Sequence, residues 1–560
     1  MTGSASLRIG IAQINPLLGD LEGNADKILK AWTHFEDQAD LIVFPEMVTC
    51  GYPPEDLVLK PVFLSEIEQQ VDTLVACSAQ LKSAAVISTP WMIKGQRYNV
   101  ILLISQGKIV ATVPKYELPN YGVFDEQRLF VPGPLPVPIE FRGVKLGLMT
   151  CEDMWFDRVA GHLKKNGAEI LIVPNGSPFS KHHLSRRLLQ ARRRVEETGL
   201  PLVYVNQVGG QDELVFDGTS FALNVRGEKI YQGASFVEAL DILEPKVWDS
   251  AGDSLSVLSE AHLPASGPED IYRALMLGLR DYVGKNGFPG VILGLSGGID
   301  SALSAVIAAD ALGPERVRCV MMPSRYTSQE SLDDAVAVAT RLGTRLDDIS
   351  IENPFGAFDT LLAPYFDEKT PAITYENIQP RLRGLILMAL SNATGSMVLS
   401  TGNKSEMAVG YATLYGDMCG GFNVLKDLYK TEVYALSCWR NAHIPAGSRA
   451  GGVLDVIPEN VLAKAPTAEL KNNQTDQDTL PPYSELDAIL EGLIEHEKGV
   501  EELVAAGYGR ETVLRIWKML DRAEYKRRQA PPGVKITSRA FGRDRRYPIT
   551  NHFLNIIEKA

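Results

Sequence analysis

Across 560 residues there are only six cysteines, at positions 50, 77, 151, 319, 419 and 438, and no two of them stand in CxxC spacing. That excludes a disulfide framework and a cysteine-pair metal centre, and leaves reduced thiols in the cytoplasm as the expectation. Uninterrupted apolar stretches of about twenty residues are also missing. The opening Met1-Thr-Gly-Ser-Ala-Ser runs straight into Leu7-Arg-Ile-Gly-Ile without a leader pattern, so neither secretion nor a membrane span is expected. Positive charge is in short supply: 56 lysines and arginines face 69 aspartates and glutamates, a net charge of −13. Such a balance speaks against a general nucleic-acid or membrane-surface role, so any nucleotide must be held by a local site. The basic run Arg186-Arg187 and Arg192-Arg193-Arg194 reads as a solvated or subunit-contact face of a helix. Internal repeats and long low-complexity tracts are absent.

What is present is enough hydrophobic sequence, 45 % of the chain, for at least two cores. Before about residue 245 the chain alternates short strands with turns, and beyond about 270 it turns to longer helical periods. Between them, Asp249-Ser-Ala-Gly-Asp-Ser and Leu263-Pro-Ala-Ser-Gly-Pro are rich in turn formers and read as a linker over 249–268, with Pro268 opening a helix. A second polar stretch, Leu470-Lys-Asn-Asn-Gln-Thr-Asp-Gln-Asp-Thr-Leu-Pro-Pro, has no period and predicts an exposed or mobile loop near 465–483.

The string Val291-Ile-Leu-Gly-Leu-Ser296-Gly297-Gly298-Ile-Asp300-Ser301 is an apolar strand breaking into a glycine loop and then a helix. Two glycines let the backbone approach phosphate oxygens, two serines add hydroxyls, and the loop empties onto the positive end of a helix dipole. Asp300 decides the chemistry. A carboxylate beside a polyphosphate is repelled unless a divalent cation lies between them, which predicts ATP bound with Mg2+. The loop lacks the Lys-Ser/Thr pair of a kinase-type phosphate loop and the GxGxxG spacing of dinucleotide sites. It resembles the SGGxDS loop of the ATP pyrophosphatases. That resemblance implies cleavage of ATP to AMP and pyrophosphate with an acyl-adenylate intermediate. The alternative for the glycine pair is an ordinary turn in an α/β sheet.

In the first half three strands end on reactive residues: Leu41-Ile-Val-Phe-Pro-Glu46, Val110-Ala-Thr-Val-Pro-Lys115 and Val144-Lys-Leu-Gly-Leu-Met-Thr-Cys151. A thiol needs a base to become nucleophilic, which Glu46 could supply, and the Lys115 ammonium could stabilise both thiolate and oxyanion. Together they would hydrolyse an amide. Taken singly, the cysteine reads as a buried small hydrophobe and the other two as a salt bridge. The pattern resembles the Glu-Lys-Cys triad of the nitrilase, or carbon–nitrogen hydrolase, superfamily over residues 7 to 240. By the same resemblance Glu126, in Tyr121-Gly-Val-Phe-Asp-Glu126, helps position the reacting groups. Tyr121, Ser177 and His183 are the implied glutamine contacts, with Lys181 and His182 as adjacent alternatives for the last.

Downstream of the glycine loop, Tyr375-Glu-Asn377-Ile-Gln-Pro-Arg381-Leu-Arg383 offers amide and guanidinium groups suited to a dinucleotide. Ser400-Thr401-Gly-Asn-Lys-Ser-Glu406 places a hydroxyl and a carboxylate on one turn. Gly416-Asp-Met-Cys-Gly-Gly, Lys430-Thr-Glu and Tyr525-Lys526 add a glycine loop and cations. With these strings residues 269 to 560 resemble NAD synthetase, and the whole chain resembles its glutamine-dependent form. The resemblance implies an α/β chain of an N-terminal α-β-β-α nitrilase-like sandwich, residues 1–248, followed by a doubly wound, parallel-sheet ATP-pyrophosphatase domain, 269–560. It implies ATP contacts at Ser296, Gly297, Gly298, Asp300, Ser301 and Thr401, and deamido-NAD contacts at Asn377, Arg381, Glu406 and Lys526. Asp300 and Glu406 would ligate Mg2+. The reaction implied is amidation of deamido-NAD with ammonia from glutamine, the last step of NAD biosynthesis, giving NAD, AMP, pyrophosphate and glutamate. A cytoplasmic homo-oligomer is expected. Because ammonium has no lone pair for attack, a protein-lined passage from Cys151 to the adenylate is expected too. Rival readings are a ligase of the same loop class acting on another acid, an amide hydrolase whose second half senses nucleotide, and a regulatory nucleotide-binding protein.

Overall fold

The computed structural model describes every residue except 1–6, 256, 257, 259–262, 472, 473, 552 and 554–560. The opening segment, part of the expected linker, two residues of the loop expected near 465–483 and the end of the expected second domain thus lie outside the described residues. The chain forms two compact units, Met1–Ser266 and Gly267–Ala560.

In the first unit two six-stranded sheets face each other. One runs in the spatial order Ala239–Leu243, Ile9–Gln13, Leu41–Val43, Ala84–Ile93, Gln96–Ser105, Lys108–Pro114. The other runs Lys229–Gln232, Phe221–Leu223, Leu202–Asn206, Ile170–Asn175, Val144–Leu148, Ile139–Phe141. Ile9, Ile11, Leu41, Val43, Leu103, Leu146, Leu148, Ile172 and Val205 meet between them, because strand alternation sends every second residue to this inner face. The outer face of the first sheet is covered by helices Leu21–His34 and Pro61–Ser78, through Ile28, Trp32, Ile67 and Val71. The other outer face takes helices Asp157–Lys165 and His183–Thr198, through Val159, Leu163, Leu188 and Val195. This is the α-β-β-α sandwich that the family resemblance implied. The described residues of the stretch 250–266 do not hang free. Asp253 exchanges backbone hydrogen bonds with Lys229, Arg192 Nη1 donates to the Leu255 carbonyl at 2.6 Å, Ser185 Oγ to that of Pro264 at 2.7 Å, and the Ser266 amide to that of Lys181 at 2.6 Å.

The second unit is built on a five-stranded parallel sheet, in the order Arg345–Asp348, Val317–Met321, Val291–Gly294, Met397–Ser400, Phe422–Asn423. Helices Glu352–Leu362 and Ile378–Thr394 cover one face, where Phe355, Leu382 and Leu387 pack on Ile292, Val320 and Val398. The strand order reverses beside Val291–Gly294, so the loops following it and Met397–Ser400 open onto one crevice, where open α/β sheets hold their ligands. A helical cluster joins Met407, Leu486, Leu490, Val513, Ile516 and Leu520. Among the described residues no helix is long and apolar enough to cross a membrane.

Candidate active sites

Both reactive constellations hang from sheet ends. In the first unit Glu46 follows Leu41–Val43, Lys115 follows Lys108–Pro114, and Cys151 opens the short 3₁₀ turn Cys151–Trp155 after Val144–Leu148. Lys115 Nζ donates to Glu46 Oε1 at 2.8 Å and to both oxygens of Glu126 at 2.9 Å. All three side chains are buried. Each carboxylate has a second holder: Asn99 Nδ2 donates to Glu46 Oε1 at 2.7 Å, the Gly176 amide to Glu46 Oε2 at 3.0 Å, and the Tyr52 hydroxyl to Glu126 Oε1 at 2.9 Å. A tie between loops comes from buried Asp153, which accepts the amides of Tyr116 and Glu117 at 3.2 and 2.8 Å and that of Thr150 at 2.9 Å. One carboxylate therefore fixes the segment after Lys115 against the turn that carries Cys151.

Cys151 has φ +42°, a left-handed conformation that costs a non-glycine residue of the order of 1–3 kcal/mol and is tolerated where the surroundings impose it. Burial, and then the charge of Glu46, push its thiol well above the ordinary range, with Lys115 pulling the other way. The thiol thus rests protonated, and a base must take its proton as it attacks. Burial alone would lower Lys115, but Glu126 and Glu46 outweigh it and hold the ammonium charged.

Around this centre stand the expected glutamine contacts. The Tyr121 hydroxyl donates to Glu152 at 3.0 Å, and burial pushes the Glu152 carboxyl up to about 7. Ser177 Oγ and His183 Nε2 lie 2.7 Å apart, with Arg187 Nε donating to the same oxygen at 3.2 Å. Arg187 corrects the sequence reading of the arginine run. It is wholly buried, paired with Asp217 at 2.8 Å, and donates to the carbonyls of Ser177 and Pro178 at 2.6 and 3.0 Å. Arg194, too, is buried, and of the run only Arg186 is exposed; a helical arginine run says nothing of a buried aspartate thirty residues on, so composition could not single out Arg187.

In the second unit a cavity of about 300 Å³ sits at the strand-order reversal. Ser296, Gly297, Gly298, Asp300, Ser301, Thr401 and Glu406 all line it. Gly298 caps helix Ile299–Leu312, and Ser296 Oγ and Ser301 Oγ lie 3.0 Å apart across the loop. Gly297 has φ +81°, and a Cβ there would meet the Ser331 carbonyl at 2.1 Å, so only glycine fits. The two expected metal carboxylates converge on one ammonium: Lys430 Nζ binds Asp300 Oδ2 and, at 3.2 Å, Glu406 Oε1. Asn403 Nδ2 donates to Asp300 Oδ1 at 2.8 Å. Burial, with Asp300 opposing its charge, pushes the Glu406 carboxyl up to about 8. Two carboxylates that already share a cation suit a hard divalent ion such as Mg2+. Among the described residues no three His, Cys, Asp or Glu side chains gather as a ready metal centre.

Asn377, Arg381 and Lys526 do not line the cavity but gather on one loop beside it. Lys526 Nζ donates to the carbonyls of Gly410 and Ala412 at 2.8 and 2.7 Å, Arg381 Nε to that of Leu414 at 3.2 Å, and the Thr413 hydroxyl to Asn377 Oδ1 at 3.0 Å. Arg383 reaches the lining instead, donating to the Met322 carbonyl at 3.0 Å, and its burial lowers the guanidinium to about 10. Nor is the described part of the 465–483 stretch simply exposed. Residues 465–470 line the cavity, and Glu469 Oε1 accepts the hydroxyls of Ser328 and Ser331 at 2.8 Å each. Lys464 also faces the cavity, a cation the sequence reading missed because its string, Ala463-Lys464-Ala465-Pro466, resembles any helix end.

Comparison with known proteins gives a consistent result. The carbon-nitrogen hydrolase family profile matches residues 8–241 and the NAD synthase profile residues 271–530. The chain is 50 % identical over 550 residues to the glutamine-dependent NAD(+) synthetase of Rhodobacter capsulatus, covering 98 % of each. It is 44 % identical over 562 residues to that of Xanthomonas campestris, again covering 98 % of each. A solved structure of the glutamine-dependent NAD+ synthetase of Acinetobacter baumannii, in complex with adenosine diphosphate, is 41 % identical with TM-score 0.75, covering 97 % of this chain and 98 % of that one.

Proposed function

Because this chain belongs to the glutamine-dependent NAD(+) synthetase family, we propose that it amidates deamido-NAD to NAD at the expense of ATP, using ammonia cut from glutamine at Cys151. The observation that carries the reading is the presence in one chain of two built centres. One is a buried Glu46–Lys115–Glu126 set around a protonated thiol, and the other a cavity floored by the Ser296–Ser301 loop.

In the first centre Glu46 takes the Cys151 proton as sulfur attacks the glutamine amide carbon. Lys115 meets the developing oxyanion, Glu46 passes the proton to the amide nitrogen so that it leaves as ammonia, and water, giving a proton to Glu46, cleaves the thioester to glutamate and the free thiol. Tyr121, Ser177 and His183 hold the amino-acid end of the substrate, and Glu126 keeps Lys115 in register. In the second centre the nicotinate carboxylate of deamido-NAD attacks the α-phosphorus of ATP, pyrophosphate leaves, and ammonia then displaces AMP from the acyl-adenylate. A carboxylate is inert toward amines until so activated. Ser296, Gly297, Gly298, Ser301 and Thr401 contact ATP, while Asn377, Arg381, Glu406 and Lys526 contact deamido-NAD. Asp300 and Glu406 would hold Mg2+, which when bound shields phosphate charge from these carboxylates. The amidase domain is read as 1–248, the linker as 249–268 and the synthetase domain as 269–560. The exposure of the apolar side chains Leu361, Tyr365 and Leu385 supports a homo-oligomer, and six free thiols support a cytoplasmic setting.

The test is purified protein with deamido-NAD, Mg-ATP and either glutamine or ammonium chloride, following NAD and AMP. NAD and AMP should form with either nitrogen source. Glutamine hydrolysis without any AMP would instead favour a hydrolase with a nucleotide-sensing second half.

A further inference from the structure

Ser177 is gripped through its backbone. Its amide donates to Asn206 Oδ1 at 2.9 Å, and its carbonyl accepts Asn206 Nδ2 at 3.0 Å and Arg187 Nη2 at 2.6 Å. With the main chain fixed, the hydroxyl is the part left to turn. His183 and Arg187 stand four residues apart on the helix His183–Thr198 and so share a face. Both meet Ser177 Oγ, His183 Nε2 at 2.7 Å and Arg187 Nε at 3.2 Å.

A hydroxyl has one hydrogen to give and two lone pairs to fill. A guanidinium only donates, so Arg187 fills one lone pair. Burial would lower its charge, but Asp217, 2.8 Å away, keeps it a cation. Tyr204 approaches the same oxygen with its hydroxyl, its buried ring stacked on Phe221 at 4.5 Å. That phenol makes no hydrogen bond elsewhere among the described residues, and a buried tyrosine hydroxyl turns toward an acceptor within reach. With both lone pairs approached by donors, the serine hydrogen is left for the side where His183 stands.

We propose that Arg187 is a positioning residue of the thiol centre: by donating into Ser177 Oγ it makes that hydroxyl a pure donor, which takes the α-carboxylate of glutamine. The proposal rests on reading Ser177 as a glutamine contact, and it decides which end of the amino-acid head group lies there. A carboxylate oxygen replaces His183 Nε2 as the acceptor of the serine hydrogen. An α-ammonium, itself only a donor, finds no lone pair on Ser177.

The experiment measures ammonia release by the full-length protein from glutamine and from its α-amide, in which a neutral carboxamide replaces the carboxylate. Arg187→Lys keeps a cation for Asp217 without the forked donor. Arg187→Met combined with Asp217→Asn removes both charges together, so that no buried ion is left unpaired, and gives the same reading should the first variant fail to fold. Thermal melts check folding. In either variant KM for glutamine should rise about tenfold, the scale of one hydrogen bond to a charged group, with kcat changed by less than about twofold. KM for the α-amide should move by about twofold or less, because a neutral partner gains less from the donor. In a Ser177→Ala background the Arg187 substitutions should add nothing.

Equal losses on the two substrates would overturn the proposal, since general damage to the site does not distinguish them. So would the same rise in KM in the Ser177→Ala background, where Arg187 has no hydroxyl to hold. A wild-type glutamine KM in Ser177→Ala alone would remove Ser177 from the glutamine contacts as well, while leaving hydrolysis at Cys151 in place.

Discussion

Each of the two reactive centres sets a lysine between two carboxylates, and the two arrangements work in opposite ways. In the first, Lys115, Glu46 and Glu126 have side chains 0, 0 and 5 % exposed, and each oxygen of the glutamates has a fixed donor. In the second, Lys430 is as deeply buried, but Asp300 and Glu406 remain 18 and 17 % open to a cavity. A sealed set is finished machinery, because reorganisation at the moment of attack would cost rate. An open set is a holding arrangement for substrates that bring their own charge. The same residue types, differing in closure, divide the labour between amide hydrolysis and adenylation.

The largest expected effect that would break this division is Cys151→Ala. Synthesis from glutamine should fall by about a thousandfold or more, as for loss of a covalent nucleophile, while synthesis from ammonium chloride continues. Loss of both would show that the two centres are not separable. Asp300→Asn should act in the converse sense, lowering NAD formation from either nitrogen source by about a hundredfold while glutamine is still hydrolysed, measured as NAD and glutamate in parallel assays. Asn99→Ala sharpens the idea of a sealed set. Removing a donor from a buried charge costs about 1–3 kcal/mol, so glutamine turnover should drop about tenfold to a hundredfold with little change in KM.

How much of this was legible beforehand depends on where each side chain gets its environment. Glu46, Lys115 and Cys151 stand out because each ends an apolar strand, a position sequence alone reveals. Asn99 lies within the strand Gln96–Ser105 and looks like any inward polar residue until Glu46 is placed opposite it across 53 residues. Arg187 was hidden among arginines for the same reason, since Asp217 defines it. The Ser296–Ser301 loop was readable to the residue, because glycine, helix start and strand are contiguous. Of the deamido-NAD contacts expected at Asn377, Arg381, Glu406 and Lys526, Glu406 lines the cavity, while the other three gather on the 410–414 loop beside it.

The smallest expected effect concerns pH. Burial raises Glu152 to about 7, so the folded protein holds a proton that the unfolded chain releases at ordinary carboxylate pH. Its contribution to stability is present below the unfolded value and is lost as pH rises to about 7. Melting curves of wild type and Glu152→Gln should therefore diverge between about pH 4.5 and 7, with the wild type losing ground, and run parallel above that. Parallel curves throughout would show that this carboxyl is not held protonated.

The most direct test of the central claim, that nitrogen freed at the thiol centre is joined to an acid activated at the phosphate centre, is isotopic. Wild-type protein would be given glutamine labelled with ¹⁵N in its side-chain amide, together with Mg-ATP and deamido-NAD. The account predicts NAD with ¹⁵N in its carboxamide and one AMP and one pyrophosphate for every NAD formed. Unlabelled NAD, or ADP and phosphate in place of AMP and pyrophosphate, would contradict it.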